Sequence, residues 1–80
     1  MRIKTKPIEL EAIQFTGTNI EEVRRFIGKE TLASDLSIVV PFYSIERVAQ
    51  KGDYIIKLLP GAFFPCESDT FKKQYEVIDG

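Results

Sequence analysis

The stretch Lys51-Gly52-Asp53-Tyr54-Ile55-Ile56-Lys57-Leu58-Leu59-Pro60-Gly61-Ala62-Phe63-Phe64-Pro65-Cys66 decides the fold. Gln50 to Asp53 reads as a turn. The apolar run from Tyr54 to Leu59, bounded by turn residues, predicts a strand near the centre of a sheet. Leu59-Pro60-Gly61-Ala62 carries Pro and Gly at the two central turn positions, the type II signature. The chain then folds back as a hairpin into Ala62-Phe63-Phe64. Pro65 lacks an N–H for a sheet ladder, which places the end of that strand at an edge. Beyond it, Ser68 is positioned to cap a short helix with Phe71 and Tyr75 four residues apart on one face. Val77-Ile78 predicts a last short strand.

Upstream, Pro7 ends a basic lead-in, Met1 to Lys6, and favours extended backbone before it. Ile8-Glu9-Leu10-Glu11-Ala12 alternates apolar and acidic residues, as a half-buried strand does. The phase then shifts, because Ile13 and Phe15 fall on the face of Glu9 and Glu11. Either a bulge or burial on both faces accounts for this. Thr16-Gly17-Thr18-Asn19 breaks the strand. Thr18 with Glu21, and Asn19 with Glu22, each have capping-box spacing. Ile20, Val23, Phe26 and Ile27 form one helical stripe, and Gly28 stands where a helix-ending glycine belongs. Lys29 to Asp35 is loop. Leu36 to Val40 is a strand that Pro41 ends or forces to an edge. Phe42 to Ala49 fits both periods, and a strand is the better match. The expected fold is α+β: one domain spanning 1–80, a mainly antiparallel sheet of about five or six strands, one packed helix and a short C-terminal helix.

A chain of 80 residues buries only about 60% of its unfolded surface, so its stability is marginal. Small domains compensate with disulfides, metals or oligomers. One cysteine and no histidine leave no intrachain disulfide and no Cys/His metal site. Packing by large rings and self-association remain, so a homo-oligomer is expected. The net charge of -1 lacks the basic field that non-specific duplex binding needs. No run approaches a membrane span and no signal-peptide core is visible, which points to the cytoplasm, as does the single free thiol.

Without histidine, Ser-His and Cys-His nucleophile systems are impossible. Phosphate loops and zinc-protease motifs do not occur, so no enzyme and no cofactor are expected. Glu9/Glu11 and Glu21/Glu22 read as solvated or helix-dipole charges. Cys66 has no neighbouring cation to activate it and reads as a packed side chain. Arg24/Arg25, Lys51/Lys57 and Lys72/Lys73 are basic pairs. Lys57 interrupts an apolar strand, so it either meets solvent or lines a pocket. Phe63 and Phe64 point to opposite faces of their strand. One ring enters the core, and the other lies against a helix, a partner or a ligand, where a base can stack.

Several segments resemble a widespread family of small phage and prophage proteins. These are Lys6-Pro7, Glu11-Ala12-Ile13-Gln14-Phe15 with Thr16-Gly17, the Asn-led helix Asn19 to Gly28, Gly52 to Lys57, Gly61 to Cys66, and Phe71 to Glu76. The resemblance covers both ends of the chain and misses about residues 29–50. Lys51 stands where members carry Pro, and Tyr54 where they carry Trp. The resemblance implies a counter-defence protein of the infected cell's cytoplasm. It implies sequestration of a nucleotide signal, a cyclic dinucleotide above all, in a pocket at a subunit interface. The resemblance carries over no site residue; from the residues themselves, Lys51, Lys57, Arg24 and Arg25 would hold phosphates in such a pocket, with Tyr54 or Phe64 stacking on a base. The alternative is a protein inhibitor of a host defence nuclease or effector. A minor virion or replication accessory role is the third reading.

Overall fold

The computed structural model describes residues 1–5 and 8–78. Its elements are strands β1 (Arg2–Thr5), β2 (Ile8–Gln14), β3 (Ser37–Phe42), β4 (Ile45–Gln50), β5 (Tyr54–Leu59), β6 (Ala62–Cys66) and β7 (Glu76–Val77), with helices α1 (Ile20–Ile27) and α2 (Ser68–Gln74). The strands form one antiparallel sheet in the order β4-β3-β6-β5-β2-β1-β7. The α+β expectation holds, but among the described residues the sheet has seven strands, where about five or six were expected. The added strand is β1, in the basic lead-in. Arg2 to Thr5 pairs with β2 on one side, and Ile3 and Lys4 pair with β7 on the other. Charged residues in so short a stretch hid its alternation, and only its two neighbours make it a strand. The expected effect of Pro7 falls outside the described residues. Among the described residues no helix is long and apolar enough to cross a membrane.

The sheet separates two apolar clusters. The first joins Phe15, Ile38, Val40, Ala49, Ile55 and Phe63 to Val23 and Ile27 of α1. The second joins Ile3, Ala12, Ile56 and Cys66 to Phe71 of α2. Side chains alternate along a strand, so the adjacent pair Ile55-Ile56 supplies one residue to each cluster. The same alternation explains the phase shift in β2. That strand runs without a bulge between β1 and β5, with Ala12 in one cluster and Phe15 just past its end in the other. Burial on both faces is therefore the correct alternative. The α1 stripe is only half as deep as expected. Val23 and Ile27 are buried, whereas Ile20 and Phe26 flank the cluster, with the Phe26 ring edge-on to Phe63 at 5.7 Å.

Neither capping box forms. Asn19 occupies the α1 N-cap without a side-chain cap bond. Its Oδ1 instead accepts from the Thr16 N–H at 2.9 Å, and its Nδ2 donates to the Gln14 carbonyl at 2.8 Å. Asn19 thus braces the corner between β2 and α1. Gly17 in that corner has φ +89°, and a Cβ there would stand 2.5 Å from the Asp35 carbonyl oxygen. The α2 N-cap is Glu67, one residue before the expected Ser68, and Tyr75 follows the helix. Both strand prolines lie where no ladder needs their nitrogen. β3 continues through Pro41 to Phe42, but β3 and β6 are in register only at Phe42 and Ala62. Nothing in β3 pairs with Pro65.

Replacing Phe15, which is fully buried in the first cluster, with Ala should cost about 3–5 kcal/mol. That is comparable to the whole stability of so small a domain. Phe26→Ala, at the cluster's margin, should cost clearly less. Urea titrations of both variants check the order, and equal losses would show that the α1 stripe is uniformly core. Gly17→Ala should lower stability by more than about 1 kcal/mol, because strain and a backbone clash add.

Candidate binding surface at the hairpin tips

The six residues singled out from the sequence do not converge within one chain. Tyr54 packs in the second cluster, its ring stacked on Phe71 at 3.8 Å and 2° between planes. Phe71 in turn stacks on Tyr75 at 5.3 Å. Tyr54 therefore holds α2 to the sheet. Lys57 is half-buried and stands across from Glu11 on β2 and Phe63 on β6. Among the described residues it closes no ion pair with Glu11. Lys51 is exposed in the β4–β5 turn, its stem beside Gly17.

Arg24 and Arg25 sit together on α1 around a shallow hollow of about 350 Å³, shared with Glu21, Gly28, Lys29 and Glu30. Arg24 is already engaged. It binds Glu21 at 2.8 Å and donates to the Thr31 carbonyl at 2.9 Å, tying the helix to the following loop. The carboxylates in the hollow offset its cations, which weakens it as a phosphate site.

Phe64 is different. It packs against the second cluster, yet the Arg47 guanidinium lies over its ring at 5.9 Å and over the Phe42 ring at 5.3 Å. Phe42 meets Tyr43 edge-on at 5.3 Å. The β3–β4 and β5–β6 turns come side by side through the bond from the Tyr43 N–H to the Gly61 carbonyl, 2.8 Å. Two hairpin tips thus build one surface of Phe42, Tyr43, Arg47 and Phe64. Tyr43 is 60% exposed, and Ile45 and Leu59 beside it are 58% and 57% exposed. Grouped exposed apolar side chains, unlike single ones such as Leu32 at 82%, mark an interaction site.

The local backbone strengthens this reading. Phe42 pairs with Ile45, so Tyr43-Ser44 is a two-residue hairpin loop. Such loops place their first residue at positive φ, where Gly, Asn or Asp is usual. Tyr43 adopts φ 57° and is the one non-glycine residue at positive φ among the described residues. A bulky residue held there at local cost is a sign of use. Phe42, Tyr43 and Arg47 are not among the site candidates read from the sequence, where Tyr43 counts as a core ring by default, because Tyr-Ser is no hairpin signal; the structure instead leaves Tyr43 exposed. Their convergence on Phe64 depends on β3 lying beside β6.

Among the described residues no cluster of metal-ligating side chains occurs. Cys66 is buried, and its thiol pKa is raised by burial first and by Asp53 and Glu67 after it. The thiol donates to the Glu67 carbonyl at 3.6 Å, which also favours the protonated form. Tyr75 is raised by burial and by the neighbouring Cys66. Comparison with family models, curated proteins and solved structures finds no match for this chain.

The pKa directions set an alkaline limit. A thiol titrates near 8.5 and a phenol near 10 in the unfolded chain, to within about a unit. Both folded values lie above these, so folding favours the protonated forms. Their contribution is full below about pH 8.5 and is lost as pH rises through the raised values. The melting temperature should therefore fall above about pH 8.5, and Cys66→Ala should flatten the earlier part of the fall. Superimposable pH profiles for the two proteins would remove the thiol from this account.

Proposed function

We propose that this chain is a non-catalytic binding protein whose ligand docks on the surface of Phe42, Tyr43, Arg47 and Phe64, and that the ligand is a nucleotide. The observation that carries the reading is the Arg47 guanidinium lying over the Phe42 and Phe64 rings beside the exposed Tyr43. Base stacking needs an open ring face, which Tyr43 offers. A planar guanidinium with free donors can bind phosphate bidentately. Among the described residues Arg47 meets rings but no carboxylate, so its N–H groups point to no competing acceptor. The resemblance to small phage proteins narrows the ligand to a signalling nucleotide, a cyclic dinucleotide, sequestered to counter host defence in the infected cell. Of the six residues read from the sequence, Phe64 belongs to this surface. Arg24 and Arg25, Lys51, Tyr54 and Lys57 do not.

A second reading, inhibition of a host defence protein, is favoured by the apolar rim of Ile45 and Leu59. Calorimetry with cyclic di- and trinucleotides separates the two. Arg47→Ala should weaken binding and reduce its salt dependence. Tyr43→Leu should weaken binding by roughly fivefold or more while the salt dependence stays, since a stacked base contributes about 1–3 kcal/mol. If no heat and no melting shift appear with high-micromolar nucleotide, the nucleotide reading is wrong and the protein-inhibitor reading replaces it.

A further inference from the structure

β4 is an outer strand of the sheet, six residues long, paired with β3 along its whole length without a bulge. Its side chains from Ile45 to Val48 are all exposed. Long regular edges of this kind invite another strand. The free hydrogen-bonding groups of this edge can be assigned one by one. Phe42 and Ile45 flank the two-residue loop, so they form a hydrogen-bonded pair, and Ile45, Arg47 and Ala49 turn their backbone groups toward β3. Glu46, Val48 and Gln50 therefore turn theirs outward. Gln50 is already closed. Its N–H donates to Asp53 Oδ2 at 2.9 Å, and its carbonyl accepts from the Asp53 N–H at 2.9 Å. Among the described residues, nothing meets the outward groups of Glu46 and Val48.

We propose that β4 pairs antiparallel with β4 of a second copy about a two-fold axis at Arg47, and that the two Arg47 side chains together complete the anion-binding part of the ligand surface. A two-fold axis perpendicular to the sheet keeps each residue on its own face, so the axis must pass at a residue position. An axis at Arg47 sets Glu46 opposite Val48 of the second copy. Each then donates to and accepts from the other, and the symmetry repeats the pair, so every open group on the edge is satisfied. An axis at Val48 would set Glu46 against Gln50, whose groups Asp53 has taken. An axis at Glu46 would set two carboxylates face to face, which is unfavourable.

The chosen register sets Arg47 against Arg47 as a non-hydrogen-bonded pair. Each guanidinium is drawn aside over its own Phe42 and Phe64 rings. Two facing guanidinium groups repel until an anion with two charges lies between them. A two-fold symmetric ligand with two phosphates, flanked by the Tyr43 ring of each copy, matches that arrangement. The pairing stands on the edge strand alone. The role of the arginine pair rests on the reading of this surface as a nucleotide site.

Cross-linking tests the pairing without any ligand. Opposed residues of a non-hydrogen-bonded pair have Cα atoms about 4.5 Å apart, within disulfide reach. Arg47→Cys should oxidise to a covalent dimer, whereas wild type, whose Cys66 is buried, should not, and Val48→Cys should do so poorly. Val48→Pro removes an outward N–H while leaving the β3 ladder intact, and should sediment as a monomer where wild type sediments as a dimer. Inorganic pyrophosphate should shift wild type further toward dimer and leave Val48→Pro a monomer. A wild-type monomer at high micromolar concentration with no Arg47→Cys cross-link would overturn the pairing. Faster cross-linking of Val48→Cys would overturn the register. A dimer indifferent to pyrophosphate would overturn the arginine-pair site while leaving the pairing. Equal nucleotide affinity of wild type and Val48→Pro would show that the nucleotide surface is complete in one copy.

Discussion

The structure depends on the burial of β5 on both faces. Ile55 and Ile56 are neighbours in sequence, and neither has any exposure. A strand can bury both only if each face of the sheet carries its own cover. α1 covers one face, and α2 with its ring stack covers the other. β2 and β6 flank β5 and repeat the pattern, with Phe63 in one cluster and Ala12 in the other. In a chain this short, two small cores back to back give more buried apolar area than one half-exposed sheet would, and that area is the dominant favourable term in folding.

The same arrangement decides where the molecule is available for binding. The middle of the sheet is covered on both sides, and Tyr54 is used to hold α2 in place. The exposed Tyr43 ring and the half-buried Phe42 and Phe64 lie where helices do not reach, at the tips of the two hairpins. There the backbone accepts a left-handed tyrosine, and the guanidinium of an exposed arginine lies over two phenylalanine rings. The adjoining edge strand keeps open backbone groups at Glu46 and Val48, because the Asp53 cap closes the edge only at Gln50. Recognition surface and sheet edge are therefore one continuous region.

Much of the architecture was legible from local pattern. The strands on either side of the Pro60-Gly61 turn, the amphipathic helix ended by Gly28, and the short helix carrying Phe71 all follow from periodicity and turn chemistry. β1 was not legible, since Arg-Ile-Lys-Thr becomes a strand only between β2 and β7. The two capping boxes were legible and absent, because Asn19 found stronger partners in the corner it braces. For the site, Phe64 was found from its place beside Phe63, since two adjacent strand residues cannot enter the same core. Tyr54 was read as a stacking surface for a base, and it does stack, but on Phe71.

What the sequence by itself determined was the order of the elements from β2 onward, the lack of any histidine-based chemistry, and which residues are large and apolar enough to need burial. Local spacing and composition carry that information. What only the tertiary structure decided was which rings come together at the surface and which cation joins them. Phe42, Arg47 and Phe64 lie on three different strands, and β6 comes beside β3 although β4 and β5 separate them in the chain. Proximity of that kind depends on strand order, which is fixed by how two apolar faces are covered at once, and no local pattern in the chain encodes it.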